Sequence, residues 1–194
     1  MLLDENIVTQ LKEYFKVINR PISFRVKNID KDMTSFLEEM LKTSDKFNIV
    51  KDETLAYRDN SFEIFDVDKP TGIVFSGIPA GHEFNSFILA ILSIFGLGAK
   101  LTNEQLEKIK SIKEKTVIEV FVTLSCTFCP DVVQSLNRIA LNNEFITTNT
   151  IDGNKYIEEA REKNILASPS VFLNGKFVTS GAQSVDKLIE AIIK

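Results

Sequence analysis

The only two cysteines in these 194 residues stand together as Cys126-Thr127-Phe128-Cys129. With no third cysteine to pair with, an intramolecular disulfide must close this four-residue loop. So short a loop restricts the unfolded chain little, so its closure points to chemistry more than to stapling. The pair follows the apolar run Val117 to Thr123, so the pattern predicts a buried strand that delivers the dithiol onto the first turn of a helix running from Cys126 to about Leu141. At a helix start, unpaired backbone N–H groups and the positive end of the dipole favour a thiolate. Cys129 then lies one turn further in on the same face, and Pro130 fits because the first turn can spare an N–H. These positions make Cys126 the attacking nucleophile and Cys129 the resolver of a mixed disulfide. The intervening Thr127 and Phe128 are neutral, and Asp131 is the one carboxylate close by in sequence.

Other chemistries fit less well. Zinc wants four ligands, and two cysteines with the single histidine, His82, leave one missing. An iron–sulfur cluster would need two chains to share their cysteines. Charged residues make up 26% of the chain and the net charge is -4, against the basic surface that nucleic acid requires. The longest apolar stretch, Phe87 to Phe95, is too short to span a bilayer and reads as a buried helix. No basic segment precedes an apolar one in Met1 to Asn6, so no secretory signal is expected and the cytosol is the expected compartment. There an isolated C-x-x-C cycles instead of staying oxidised.

The elements that must position the dithiol come in two similar series. Helical spacing of Ile7, Val8, Leu11, Tyr14, Phe15 and Ile18 predicts a helix from Asp4 to Val17, with Asp4 as its cap. A strand Ile22–Val26, a helix Asp32–Lys42 and a strand Phe47–Val50 follow. Strands Ser61–Val67 and Gly72–Phe75 turn through Asp68-Lys69-Pro70, and a helix Glu83–Phe95 closes the half. After a short helix Asn103–Ser111 the order repeats: strand Val117–Thr123, the dithiol helix, strand Phe145–Thr150 and a helix around Tyr156–Lys163. Strands Ser170–Leu173 and Phe177–Ser180 then turn through Asn174-Gly175-Lys176, before a last helix Ser184–Ile193. The duplication predicts an α/β protein of two units, 1–100 without cysteines and 101–194 with the dithiol, built on mixed sheets flanked by helices.

Three segments carry a family resemblance: Leu124 to Gln134 around the dithiol, Gly77 to Phe84 in the first half, and Pro169 to Lys176 near the end. Together they resemble the N-terminal domain of the alkyl hydroperoxide reductase flavoprotein subunit, along essentially the whole chain. The resemblance implies two tandem thioredoxin-like folds with one redox-active disulfide, Cys126–Cys129, in the second. It implies no bound cofactor and electrons received from an NAD(P)H-dependent, thioredoxin-reductase-like flavoprotein. The acceptor would be a peroxiredoxin or another disulfide protein. These residues hold no dinucleotide-type Gly-rich loop after a strand, so the flavin must lie outside them, in a separate reductase or in a longer flavoprotein.

The resemblance also implies that Ser168-Pro169 forms a wall opposite the dithiol, with Pro169 cis, and that Glu83 lies near the redox centre. There a buried carboxylate can move protons. Read alone, Glu83 is a first-turn acid favoured by a helix dipole, beside a partly buried His82. Gly181 either permits close approach at this rim or leads into the last helix. Asn60 stands in the first half where the resemblance implies a proline, which makes that half a scaffold. Two alternative functions are a general cytosolic protein disulfide reductase and a docking module in which the thiols are incidental.

Overall fold

The computed structural model describes residues 3–193; residues 1, 2 and 194, which belong to the outer ends of the two expected units, lie outside it. The first half contains α1 (Glu5–Tyr14, followed by a 3-10 turn Phe15–Val17), β1 (Ile22–Val26), α2 (Lys31–Leu41), β2 (Phe47–Lys51), β3 (Ser61–Asp66), β4 (Lys69–Ser76) and α3 (Glu83–Ile94). The second contains α4 (Asn103–Lys110), β5 (Thr116–Val122), α5 (Cys129–Leu141), β6 (Ile146–Asp152), α6 (Ile157–Glu162), β7 (Ser170–Leu173), β8 (Lys176–Ser180) and α7 (Val185–Ile192). Side-chain caps set several starts. Asp4 Oδ1 accepts from Asn6 N (2.7 Å), and Asp30 Oδ1 from Met33 N (2.9 Å). Thr102 and Gln105 form a reciprocal capping box at α4.

The strands of both halves form one sheet in the order β2-β1-β3-β4-β6-β5-β7-β8. The seam is the parallel pairing of β4 with β6, from Ile73 opposite Thr148 to Ser76 opposite Ile151. A polar chain crosses it on one face, where Ser61 Oγ donates to Ser76 Oγ (2.7 Å) and Ser76 Oγ donates to Asn149 Oδ1 (2.9 Å). Further ties come from loops. Arg58 pairs with Glu119 and Glu159, and Lys155 Nζ meets Asp30 Oδ2 at 2.8 Å.

Alternation along the strands separates two cores. On one face Phe24, Phe62, Phe75, Ile118 and Val120 pack against helices, with Phe87 of α3 at the centre. Its ring centroid lies 5.6–5.8 Å from those of Phe24, Phe36, Phe62 and Phe75. Each such pair adds ~0.5–1.5 kcal/mol beyond area burial. The other face carries a smaller cluster, Phe121, Ile151 and Phe172, closed by Ala160 of α6.

Two local expectations need correction. Helix α5 begins at Cys129, and Cys126 to Phe128 form a bend before it. Pro70 belongs to β4 and pairs with Phe65, while the turn is made by Val67 and Asp68. Proline is tolerated there because the bulge at Ile64/Phe65 is adjacent and β6 does not join β4 until Ile73.

Gly72 sits where the seam begins, at φ +73, and a Cβ on it would stand 2.4 Å from the Ile146 carbonyl oxygen. A side chain there is opposed by both strain and backbone contact. Gly72→Ala is therefore expected to destabilise the fold by at least ~1 kcal/mol, read by urea unfolding with an unchanged slope. A midpoint equal to wild type would contradict the tight seam.

Candidate active site

The chain leaves β5 at Val122, bends through Leu124 and Ser125, and reaches Cys126, which is half-buried; Cys129, at the first position of α5, is fully buried. The two form a disulfide, with 5.5 Å between their Cα atoms. The Cys129 backbone N–H points at Cys126 Sγ, 3.1 Å away. An open N-terminal amide of the helix is thus spent on the outer sulfur. In the reduced protein the same amide would stabilise negative charge there. This differs in detail from a Cys126 inside the helix: the sulfur takes the place of a capping oxygen.

Opposite the dithiol, the Ser168–Pro169 peptide is cis, and the Ser168 carbonyl oxygen lies 3.6 Å from Cys126 Sγ. The segment is tied down on both sides. Ser170 Oγ donates to Ala167 O (2.7 Å), and Gly181 N donates to Pro169 O (2.8 Å). An open depression of about 500 Å³ flanks Cys126, lined in part by Phe128, Ile157, Leu166 and Ser168. Phe128 is 63% exposed and Leu166 97% exposed. Such apolar side chains in water beside the outer sulfur make this rim a candidate contact surface. No spacing in the sequence marked Leu166; its place beside the dithiol comes from the loop before Pro169.

Glu83 reaches this region through its neighbours. His82 N donates to Leu124 O at 3.0 Å. Gly81, at φ +56, allows the approach: a Cβ there would be 2.3 Å from the same oxygen. The first turn of α3 is therefore pinned to the bend that leads into Cys126. Glu83 is fully buried and neither carboxyl oxygen has a hydrogen-bond partner. Burial pushes its pKa from 4.5 to about 7, only slightly offset by the nearby Ser86 hydroxyl, which does not reach hydrogen-bond geometry with either oxygen. His82, by contrast, is exposed and caps nothing with its side chain, contrary to the partly buried histidine expected. Asp131 is also exposed, in the first turn of α5.

In the first half, the counterpart of this rim is an open depression of about 710 Å³ lined in part by polar residues, among them Asn28, Asp30, Asp59 and Asn60. Asn60, at φ +59, accepts the Asp30 N–H on Oδ1 (2.5 Å), and its own N–H donates to Asn28 O (2.6 Å). Polar cross-links stand where the second half has its dithiol.

Residues 116–194 match the family model for the thioredoxin domain. An NADH dehydrogenase of Bacillus subtilis is 37% identical over 97% of this chain and 38% of its own length. The alkyl hydroperoxide reductase AhpF of Escherichia coli is 34% identical over 98% of this chain and 37% of its own length. Among solved structures, the N-terminal NTD_N/C domain of alkylhydroperoxide reductase AhpF from Enterococcus faecalis superposes with a TM-score of 0.87 at 28% identity, covering 98% of this chain and 99% of that one. Along nearly its whole length the chain is similar to AhpF in sequence and in fold. It spans little more than a third of the length of those curated relatives and nearly all of the isolated AhpF domain. A protein disulfide oxidoreductase from Aeropyrum pernix shares the fold, with a TM-score of 0.83 at 20% identity.

The buried carboxylate generates a pH signature. The native state binds the Glu83 proton more tightly than the unfolded chain, so the stability linked to it is present at acid pH and is lost as pH rises from about 4.5 through about 7. Glu63, buried on β3 and also raised to about 7 by desolvation, acts in the same window despite the Tyr57 hydroxyl that donates to it. The Glu83 share is isolated by difference: Glu83→Gln should match wild type near pH 5 and exceed it near pH 8 by roughly 1–3 kcal/mol. Parallel stability profiles for the two proteins would contradict the buried, unpartnered carboxylate.

Proposed function

We propose that this chain is a thiol–disulfide oxidoreductase module that relays electrons from a thioredoxin-reductase-like flavoprotein to a disulfide acceptor, a peroxiredoxin, in peroxide detoxification. The observation that carries this reading is the unequal pair: one half-buried sulfur facing a helix amide, one sulfur fully buried behind it. Similarity to AhpF supports the peroxide context, and supports a flavoprotein portion, joined or separate, as the electron source.

A dithiol of the flavoprotein reduces Cys126–Cys129 by two exchange steps and becomes a disulfide itself. The Cys126 thiolate then attacks one sulfur of the acceptor disulfide; that S–S bond breaks and the second acceptor sulfur leaves as a thiolate that takes up a proton. Cys129 loses its proton and attacks Cys126 Sγ. The mixed disulfide breaks, Cys126–Cys129 re-forms, and the acceptor leaves as a dithiol with two electrons and two protons. Glu83, with a pKa near 7 and no ion-pair partner, is suited to take the Cys129 proton and return it. The Ser168 carbonyl and cis Pro169 form the wall against which the acceptor chain lies, and Phe128 and Leu166 cover its apolar side chains.

Turnover of a model disulfide such as insulin, driven by NAD(P)H and a thioredoxin-reductase-class flavoprotein, should be present in wild type and fall to background in Cys126→Ser. Cys129→Ser should instead accumulate a one-to-one mixed disulfide between Cys126 and a peroxiredoxin. A wild type inactive with every such reductase, and a Cys129→Ser protein that yields no adduct, would favour docking over electron transfer. Leu166→Asp is expected to raise KM for a protein acceptor about tenfold, the equivalent of losing one buried apolar contact. Its rate with a small-molecule disulfide should stay unchanged. Equal losses with both substrates would remove Leu166 from the docking rim.

A further inference from the structure

At the far end of α5, roughly 14 Å along the helix from Cys129, a second polar site has no part in the redox chemistry. A cleft of about 490 Å³ opens between the end of α3, the connection 96–101, the β3–β4 turn and the last turn of α5. Its volume lies in the about 300–1,000 Å³ range of small-ligand pockets. Arg138 lines it and also lines a smaller cavity behind it, and the two share Ser93 and Ala99 as walls.

Two side chains in this place are polar, buried and unanswered. Asn137, only 2% exposed, lines the inner cavity with both its amide nitrogen and its amide oxygen unpartnered. Arg138 donates from Nη2 to Ser135 Oγ (3.0 Å), while its buried Nε has no acceptor. Ser135 Oγ is a neutral partner, itself donating to Asp131 O. The one carboxylate on the cleft wall, Asp66, is already held by Arg20 through two hydrogen bonds of 2.6 and 2.8 Å. Lys69 and Lys100 stand on the exposed rim and add positive charge. The half-buried Arg138 makes no ion pair within 4 Å among the described residues; burial holds its pKa below the ordinary arginine value and only the Asp131 carboxylate opposes this, while a buried amide with no partner adds to the cost. The rest of the wall is apolar, including Pro70, Leu101 and Leu141.

We propose that this cleft binds a small amphiphilic anion, its acidic oxygens taken by Arg138 and its apolar body lying along Pro70, Leu101 and Leu141. Nη1, which has no partner, and the second N–H of Nη2 form the planar outer edge of Arg138, the fork that suits a carboxylate or a phosphomonoester. Asn137 lines the smaller cavity that shares Arg138 as a wall, a space of about 30 Å³ through which one water can link its amide to the head group. Walls from both halves of the chain meet here, so an occupant joins α3 and β4 to α5.

The test is titration of the whole chain with hexanoate and hexyl phosphate. The controls are 1-hexanol for the apolar body and inorganic phosphate for the head. Binding is read by calorimetry and by the NMR signals of the Asn137 side-chain amide and Arg138 Nε–H. At least one organic anion should shift both signals and bind about tenfold or more tightly than either control; which one does so assigns the head group. Arg138→Met should weaken it about tenfold or more with no loss of thermal stability in the unliganded protein, since a half-buried cation without an ion pair has been removed. Lys100→Glu, on the exposed rim, should weaken it without disturbing the fold. Binding of hexanol as tight as that of the anions, an adventitious ion only (phosphate alone), a bound water with no anion affinity, or an affinity unchanged in both variants would overturn the proposal.

Discussion

Parallel pairing of β4 with β6 is the constraint on which both sites depend. Each half carries four strands, and a parallel join between them needs neither a tight turn nor adjacency in sequence, because the chain between travels through α3, α4, β5 and α5. Once β4 lies beside β6, α5 lies over β4 as well as β6 and β5, and α3 packs on α5. That one contact places the first turn of α3 against the bend before Cys126. It also leaves the far ends of the two helices diverging around the cleft at Arg138. The close approach of Gly72 to Ile146 and of Gly81 to Leu124 marks the two ends of this seam.

Dithiol exchange demands little machinery. Strand β5 supplies position, the start of α5 supplies an amide for the outer sulfur, and the loop before β7 supplies a facing carbonyl. Burial of Cys129 keeps the second sulfur from solvent while leaving it bonded to the first. Glu83 comes from the other half of the chain, from the helix that the seam pins in place. A first half without cysteines thereby has a physical task beyond bulk. It holds the buried Glu83 on the helix whose start is hydrogen-bonded to the bend before Cys126.

Much of this was legible in the sequence, and the reasons are local. Alternation in β5, the helical spacing of α2 and α3, the Asn174-Gly175 turn and the Asp4 cap are all short-range patterns, and they give the order of elements. The C-x-x-C stands out because cysteine is otherwise absent. What local pattern does not encode is partnership over distance. No residue of β4 announces that β6 will lie beside it, so the joining of two sheets into one came from the structure. Pro70 read as a turn because proline breaks a strand that has neighbours on both sides, and nothing in the sequence shows that β4 has one neighbour at that point. The start of α5 shifted to Cys129 because the sulfur of Cys126 does the capping, a role that residue statistics reserve for oxygen. No local pattern singles out Asn137 or Arg138; only the structure shows the Asn137 amide and the Arg138 Nε buried without partners.

Everything proposed for the dithiol rests on two unequal sulfurs, with Cys126 the one that meets other molecules. Limiting iodoacetamide applied to the reduced, folded protein near neutral pH, followed by peptide mass mapping, tests this most directly. The expected result is one equivalent on Cys126 and an unmodified Cys129 until the protein is unfolded. Equal labelling of both cysteines, or preferential labelling of Cys129, would contradict it.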